Sequence, residues 1–129
     1  MTRLLLLALV PLVAACEPVE REKSGRDLYL DDCAACHGPQ GKGDGPLAAS
    51  LDAPVPDLTT IAARYGGFPR DQVMSTIDGL DRGVHFSGAM PEFGAGDMGD
   101  TIIVERDGLG TPIPTGLLAI TDYLESIQS

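Results

Sequence analysis

The sequence predicts an all-α fold of three to five helices with one small β-hairpin near residues 101–113. Three observations support this prediction: a helix-capping pattern at Ser24, apolar residues at helical spacing in two later segments, and a β-branched run between those segments. The 129 residues suit one small domain. Only 5% of the residues are aromatic and none is Trp, so a bound cofactor would supply apolar volume that the side chains lack.

The charge balance is acidic and limits what the protein can bind. The chain has 9 Lys and Arg residues against 19 Asp and Glu residues. Binding to nucleic acid needs clustered cations, and electrostatic adhesion to anionic lipid needs them as well, so both are disfavoured. We expect a protein partner to present basic residues or an apolar docking patch, with a merely solubilising acidic surface as the alternative.

Residues 1–15 have the pattern of an export signal. Arg3 precedes a short apolar run, and small residues follow that run. The run is too short to span a bilayer as a mature helix. Residues 13–16 resemble the bacterial lipoprotein box, which predicts a lipoprotein signal peptide and a lipidated Cys16. The alternative is an ordinary secretory signal with an incidental Cys16.

Residues 16–23 are predicted to form a tether between this anchor and the domain. They are charged, contain Pro18 and have no apolar period. The domain then covers residues 24–129. The expected location is the periplasmic side of a bacterial membrane, to which the exported protein is held by its lipid anchor.

A capping box of the Ser-x-x-Asp form starts the first helix, which we predict to run from Ser24 to about Ala35. Helical spacing places four of its residues on one stripe, so that both thiols face the same side. These residues are Gly25, Tyr29, Cys33 and Cys36.

The sequence Cys-Ala-Ala-Cys-His at residues 33–37 is the attachment signature of c-type haem. Cys33 and Cys36 can form thioether bonds to the porphyrin, and His37 can bind the iron as an axial ligand. A thioredoxin-like redox pair would need a preceding strand, whereas an acidic helix precedes this motif. A structural zinc site would need Cys33, Cys36, His37 and His85 as its four ligands. We therefore predict one covalently bound haem c.

With these residues the chain resembles the class I monohaem cytochromes c of bacteria. In that family a Gly, an aromatic residue and the first haem Cys follow one another at intervals of four, as Gly25, Tyr29 and Cys33 do. The resemblance implies the cytochrome c fold and a one-electron carrier, not an enzyme, with redox proteins as donor and acceptor. A haem enzyme or gas-binding protein with an open sixth position is the alternative.

The resemblance also suggests residues around the haem. The family has a Gly-Pro-x-Leu segment whose Pro carbonyl accepts a hydrogen bond from the axial histidine, and Pro46 is the candidate here, with a simple turn proline as the alternative. Arg64 and Tyr65 follow a short helix predicted near residues 59–65. They are candidates to contact a haem propionate, although a solvent-facing Arg and a half-buried Tyr fit the sequence equally well.

Pro69 is predicted to start the middle helix, because the missing N–H of proline costs nothing in the first turn. Val73, Ile77 and Leu80 follow at helical spacing, with Gly79 as the end. Met74 lies beside this stripe and is predicted to be a core residue.

Met90 is the predicted distal iron ligand, since the family's ligand is a loop methionine that usually precedes Pro, as in Met90-Pro91. Methionine ligation raises the reduction potential relative to ligation by two histidines. The rival candidates are Met98 and His85. His85 would instead hydrogen-bond near the haem edge or lie on the surface.

The last thirty residues depart from the family pattern. The β-branched run 101–104, a turn signal at 106–108 and the segment 109–113 predict a hairpin beside the distal face of the haem, as a docking surface or as a lid. A clean apolar stripe then predicts the last helix over about 115–127. By resemblance, Tyr123 and its neighbours on that helix would cross the first helix near Gly25 and Tyr29.

Overall fold

The structure is a computed structural model, and it describes residues 22–81, 89–106 and 108–129. The predicted signal peptide, the lipidation site Cys16, most of the tether and His85 lie outside the described residues. Within these ranges, every helix is too short or too polar to cross a bilayer.

The described chain is mainly helical, with one two-stranded antiparallel sheet, which confirms the predicted all-α fold with a small hairpin. Three short 3-10 turns, at Ala48–Ser50, Leu58–Thr60 and Phe93–Ala95, lie in the connections. The main elements are α1 (Gly25–Asp32), α2 (Ala34–His37), α3 (Ile61–Tyr65), α4 (Arg70–Asp78), β1 (Thr101–Arg106), β2 (Leu109–Pro114) and α5 (Thr115–Ser126).

The capping box at the start of α1 is present as predicted. The Asp27 N–H donates to Ser24 Oγ at 3.2 Å, and the Ser24 N–H donates to the Asp27 carboxylate at 3.2 Å. The helix ends earlier than expected, at Asp32, because Cys33 leaves regular helical geometry with φ −115°. Its carbonyl accepts hydrogen bonds from the N–H groups of both Cys36 and His37, which starts the short helix α2.

The first and last helices cross in close contact. A Cβ on Gly25 would lie 1.9 Å from the carbonyl oxygen of Ala119, so only glycine fits the crossing. Next to it, the rings of Tyr29 and Tyr123 lie 5.1 Å apart at 48°, within the usual range of aromatic pairs. The predicted crossing is therefore confirmed.

The core lies where α4 and α5 meet. Leu117, Ile120 and Leu124 are buried on α5, and Val73 and Ile77 are buried on α4. Met74 is also buried, as predicted.

One expectation for the middle helix is wrong. Leu80 was predicted to continue the buried stripe, but it is 82% exposed. The helix ends at Gly79, which has the left-handed φ of 103°, and this turn sends the following residue away from the core.

The hairpin is fixed at its base to the start of α5. The Thr115 N–H donates to the Asp100 carbonyl at 2.7 Å, and the Gly116 N–H donates to the Met98 carbonyl at 2.8 Å. In the strand register, Ile102 lies opposite Ile113, and Ile113 is buried in the core.

Candidate functional site

A cavity of about 820 Å³ opens between the helices and the loop that follows α2. Its volume falls within the range of cofactor sites. Six of the eight predicted site residues line this cavity: Cys33, Cys36, His37, Arg64, Tyr65 and Met90. Of the other two, Cys16 lies outside the described residues, and Pro46 is not part of the lining.

The two thiols stand on the same side of the cavity wall. Cys33 occupies the junction between α1 and α2, and Cys36 lies within α2. Both are half-buried free cysteines. Burial raises the pKa of the Cys33 thiol to about 12, and the neighbouring Asp32 carboxylate adds to the increase. The thiol is therefore protonated and uncharged at neutral pH.

His37 ends α2, and the backbone around it is tightly held. The Gly38 N–H donates to the Ala34 carbonyl at 2.9 Å, and the Gly43 N–H donates to the His37 carbonyl at 2.8 Å. Burial lowers the pKa of His37, and the Pro56 carbonyl partly offsets this effect. The imidazole is therefore neutral at pH 7, which is the form that binds metals.

One nitrogen of this imidazole has no partner. His37 Nδ1 is buried and makes no hydrogen bond of normal geometry to any described residue. A buried polar atom without a partner costs about 1–3 kcal/mol, so this nitrogen calls for a nearby acceptor or a bound group.

The backbone group that partly offsets the lowered pKa of His37 is that of Pro56, whereas the predicted candidate was Pro46. Both prolines are exposed, but Pro56 lines the cavity and Pro46 does not. A close backbone crossing brings this segment to the histidine, since a Cβ on Gly43 would lie 2.3 Å from the Val55 carbonyl oxygen. The sequence places two prolines at positions 54 and 56, but this long-range crossing cannot be read from their spacing.

The distal candidate Met90 is half-buried and lines the cavity. Met98 packs against the core instead, with its carbonyl bound to the N–H of Gly116, and it does not line the cavity. Met74 is buried on another side of α4. Among the methionines in the described ranges, Met90 alone faces this space.

Arg64 and Tyr65 lie at the rim of the cavity. Both line it, and both are exposed, Tyr65 by 58%. A cation and a phenol at the rim are suited to bind carboxylates of a ligand whose apolar part is buried inside.

Among the described residues, the hairpin does not line the cavity, in contrast to its expected place beside the distal face. No residue of β1 or β2 lines the cavity. The hairpin instead faces the other side of α4, where the two elements form a second cleft of about 480 Å³. The physical reason is the fixed base near Gly116 and the anchoring of Ile113 in the core.

These residues fit a covalently attached haem better than a structural zinc ion. Two thiols and an imidazole face one largely apolar cavity, and a thioether faces it from another element. In the part of the chain that the structure describes, no three or more His, Cys, Asp or Glu residues are grouped to hold a metal ion, although a zinc site needs four ligands.

A comparison with protein families gives one match. The family model described as Cytochrome c matches residues 22–107, about two thirds of the chain. No curated protein and no solved structure matches the chain significantly.

Proposed function

Because the chain belongs to the cytochrome c family, whose members carry covalently bound haem c and transfer electrons, we propose that it is a one-electron carrier with His37 and Met90 as axial ligands. One observation carries the proposal: both thiols, the imidazole and a single methionine line the same cavity. A bound haem supplies one-electron chemistry at its iron. With both axial positions taken, the protein needs no substrate site.

Each residue has a proposed role that follows from its place in the cavity wall. Cys33 and Cys36 hold the haem by thioether bonds, and His37 binds the iron from the end of α2. Pro56 orients the His37 ring through its carbonyl, a role for which it is better placed than Pro46. Met90 would be the second ligand of the iron and would keep water and small gases from that position.

The rim residues are proposed to bind the propionates. Arg64 and Tyr65 are exposed side chains of the cavity lining, so Arg64 can neutralise a carboxylate and Tyr65 can donate a hydrogen bond to one without burying a charge. Replacing Arg64 by Leu would lower the haem's resistance to extraction only slightly, since the thioether bonds remain.

We also propose that the protein is exported and anchored to a bacterial membrane through Cys16, with residues 16–23 as the tether. The sequence pattern of residues 1–16 supports this proposal. Durable attachment needs more than one acyl chain. Mass spectrometry of the mature N-terminus should find acyl groups on Cys16, and an unmodified Cys16 would contradict it.

Spectroscopy of the purified exported protein tests the electron-carrier proposal. We expect a red protein with a c-type haemochrome spectrum, a haem that resists acid–acetone extraction, and no binding of carbon monoxide to the ferrous form at neutral pH. Tight carbon monoxide binding would mean an open sixth position and would favour a haem enzyme or gas-binding protein.

A further inference from the structure

The most apolar exposed surface of the described chain lies around the cleft between α4 and the hairpin. Six large hydrophobic side chains in these ranges are exposed, and the two most exposed of them, Leu80 (82%) and Leu109 (74%), line this cleft. Ile102 and Ile103 are also exposed, on the neighbouring strand β1. Clustered apolar side chains on an otherwise acidic surface are typical of interaction sites.

The cleft has a shape that can accept a side chain of a partner. It measures about 480 Å³, with the buried Met74, Ile113 and Leu117 as its floor and the exposed Leu80 and Leu109 at its rim. The strand register places Leu109 and Ile113 on the same face of the hairpin, because they are four residues apart on one strand. An apolar floor with exposed apolar walls is therefore built into the fold.

Helix α4 is shared by this cleft and the haem cavity. Asp71, Met74 and Asp78 line the cleft, whereas Val73 and Ile77 line the cavity. This division follows from helical spacing, since residues three and four apart share a face. A helix with its side chains is about 10–12 Å across, so a partner in the cleft would be one helix away from the haem.

The charge around the cleft selects the kind of partner. The segment from residue 70 to 129 is acidic, with ten carboxylates, three arginines and no lysine, and one of the arginines, Arg106, lies opposite Leu109 in the strand register. Another of these arginines, Arg70, is paired with Asp122 and Glu125. Asp71 and Asp78 line the cleft itself. A second copy of this chain would bring the same net charge of −10, so repulsion disfavours self-association here.

We propose that this cleft docks a basic redox protein, which inserts an apolar side chain between Leu80 and Leu109 and surrounds it with Lys or Arg residues. The inference rests on the proposed electron-carrier function. The docked step transfers one electron: the partner gains or loses it, this protein undergoes the opposite change, and no bond forms or breaks.

The surface chemistry can be tested on the ferrous holoprotein with a synthetic peptide that carries Leu-Phe between pairs of lysines. We expect amide NMR shifts on α4 and the hairpin, and binding that weakens as salt is added. A peptide with Glu in place of Lys and one with Ser in place of Leu-Phe should both fail to bind. Shifts centred elsewhere, or equal binding of the Glu peptide, would overturn the proposal.

Substitutions in the cleft test whether the protein uses it in electron transfer. Leu80→Ser and Leu109→Ser change exposed side chains, so they should fold, and Leu47→Ser is the matched control, because Leu47 is 51% exposed outside the cleft. We expect each cleft variant to weaken the peptide complex about fivefold or more. With a basic monohaem cytochrome as electron acceptor, the bimolecular rate should fall similarly. The Leu47 variant should match the wild type in both measurements.

Ferricyanide separates the two proposals, because this small oxidant needs no docking cleft. Suppose that the wild-type protein, reduced by ascorbate, passes electrons to ferricyanide, and that the cleft variants react with the basic cytochrome at the wild-type rate. The docking proposal then fails, while the carrier function stands. If the wild-type protein exchanges electrons with neither reagent, the carrier function itself fails. Concentration-dependent dimers that are lost in Leu109→Ser would show a second copy in the cleft and would also overturn the proposal.

Discussion

The buried hydroxyl of Tyr29 donates a 2.6 Å hydrogen bond to the backbone carbonyl of Gly38, the residue that follows His37. Tyr29 has no exposed surface, so this bond connects the centre of the α1–α5 packing to the end of α2. Burial raises the pKa of the Tyr29 phenol, which keeps the hydroxyl protonated as the donor. The contact joins the helix crossing to the backbone that presents the proposed axial ligand.

Replacing Tyr29 by Phe should therefore lower the free energy of unfolding by about 1–2 kcal/mol, because the Gly38 carbonyl would lose its buried donor. Urea unfolding of the holoprotein measures this change. Tyr123→Phe is the control, since the Tyr123 ring packs on Tyr29 and its side chain is half-buried, not fully buried. Equal stability of the two variants would show that the Tyr29 hydroxyl contributes nothing.

Gly25→Ala should destabilise the protein by about 1–3 kcal/mol through overpacking. The added Cβ would meet the Ala119 carbonyl oxygen at 1.9 Å, and α5 would have to move away. Gly96→Ala is the matched control, because the nearest atom to its Cβ would be 3.4 Å away. Thermal unfolding of both variants tests the prediction, and a stable Gly25→Ala protein would mean that the helices can separate cheaply.

Met90→Ala should abolish the far-red absorption band that arises from a thioether bound to ferric iron. It should also open the sixth position, so that the ferrous variant binds carbon monoxide. Met98→Ala should keep the band, because Met98 packs away from the cavity. A band that persists in the Met90 variant and disappears in the Met98 variant would reverse the assignment.

Replacing Arg70 by Gln should lower the free energy of unfolding by about 1 kcal/mol or less. The ion pairs of Arg70 with Asp122 and Glu125 join α4 to α5 at the surface, where both carboxylates are exposed. The free energy of unfolding of the Arg70 variant should differ less from that of the wild type at high salt than at low salt, because salt screens the ion pairs. Lys23→Gln is the comparison, since its exposed pair with Asp31 joins residues of the first helix region only and links no two helices.

Because two carboxylates have lowered pKa values in the folded protein, we expect the protein to lose stability in acid. Hydrogen bonds from Ser24 lower the pKa of Asp27, and hydrogen bonds from Thr59 lower the pKa of Asp57. A lowered folded-state pKa means that the stabilisation is present above the ordinary value of 3.8 and is lost as the pH falls through the lower folded value. The double variant Asp27→Asn, Asp57→Asn should therefore show a flatter decline of the urea midpoint between about pH 5 and 3.

Asp52→Asn is the control for this acid series, because Asp52 is an exposed carboxylate that caps no helix in the described ranges. It should leave the acid decline of the midpoint as it is in the wild type. If Asp52→Asn and the double variant flatten the acid decline of the urea midpoint equally, the decline arises from net charge and not from the two helix caps.

Local patterns in the sequence predicted the local structure well. The capping box at Ser24 and the apolar stripe of α5 depend on neighbours a few residues away, so their spacing was sufficient. The close approach at Gly25 was predicted by resemblance and is present. The grouping of both thiols, His37 and Met90 at one cavity agrees with the predicted site, and their roles as haem ligands stay predictions.

The errors lie where distant segments decide the outcome. Leu80 continues the helical period, but the left-handed turn at Gly79 ends the helix before it. The β-branched residues predicted a hairpin correctly, but periodicity carries no information on which side of α4 the hairpin packs. Pro56 reaches His37 through a backbone crossing at Gly43, a contact that no spacing within the sequence encodes.

The contact between Gly25 and Ala119 also has a consequence for the order of folding. The two residues are 94 positions apart in the sequence, so closing this contact confines nearly the whole domain in one loop, at a cost in chain entropy that short-range contacts avoid. Contacts of such long range form late and slowly. We therefore expect residues 33–37 to stay accessible for haem attachment until α5 packs against α1.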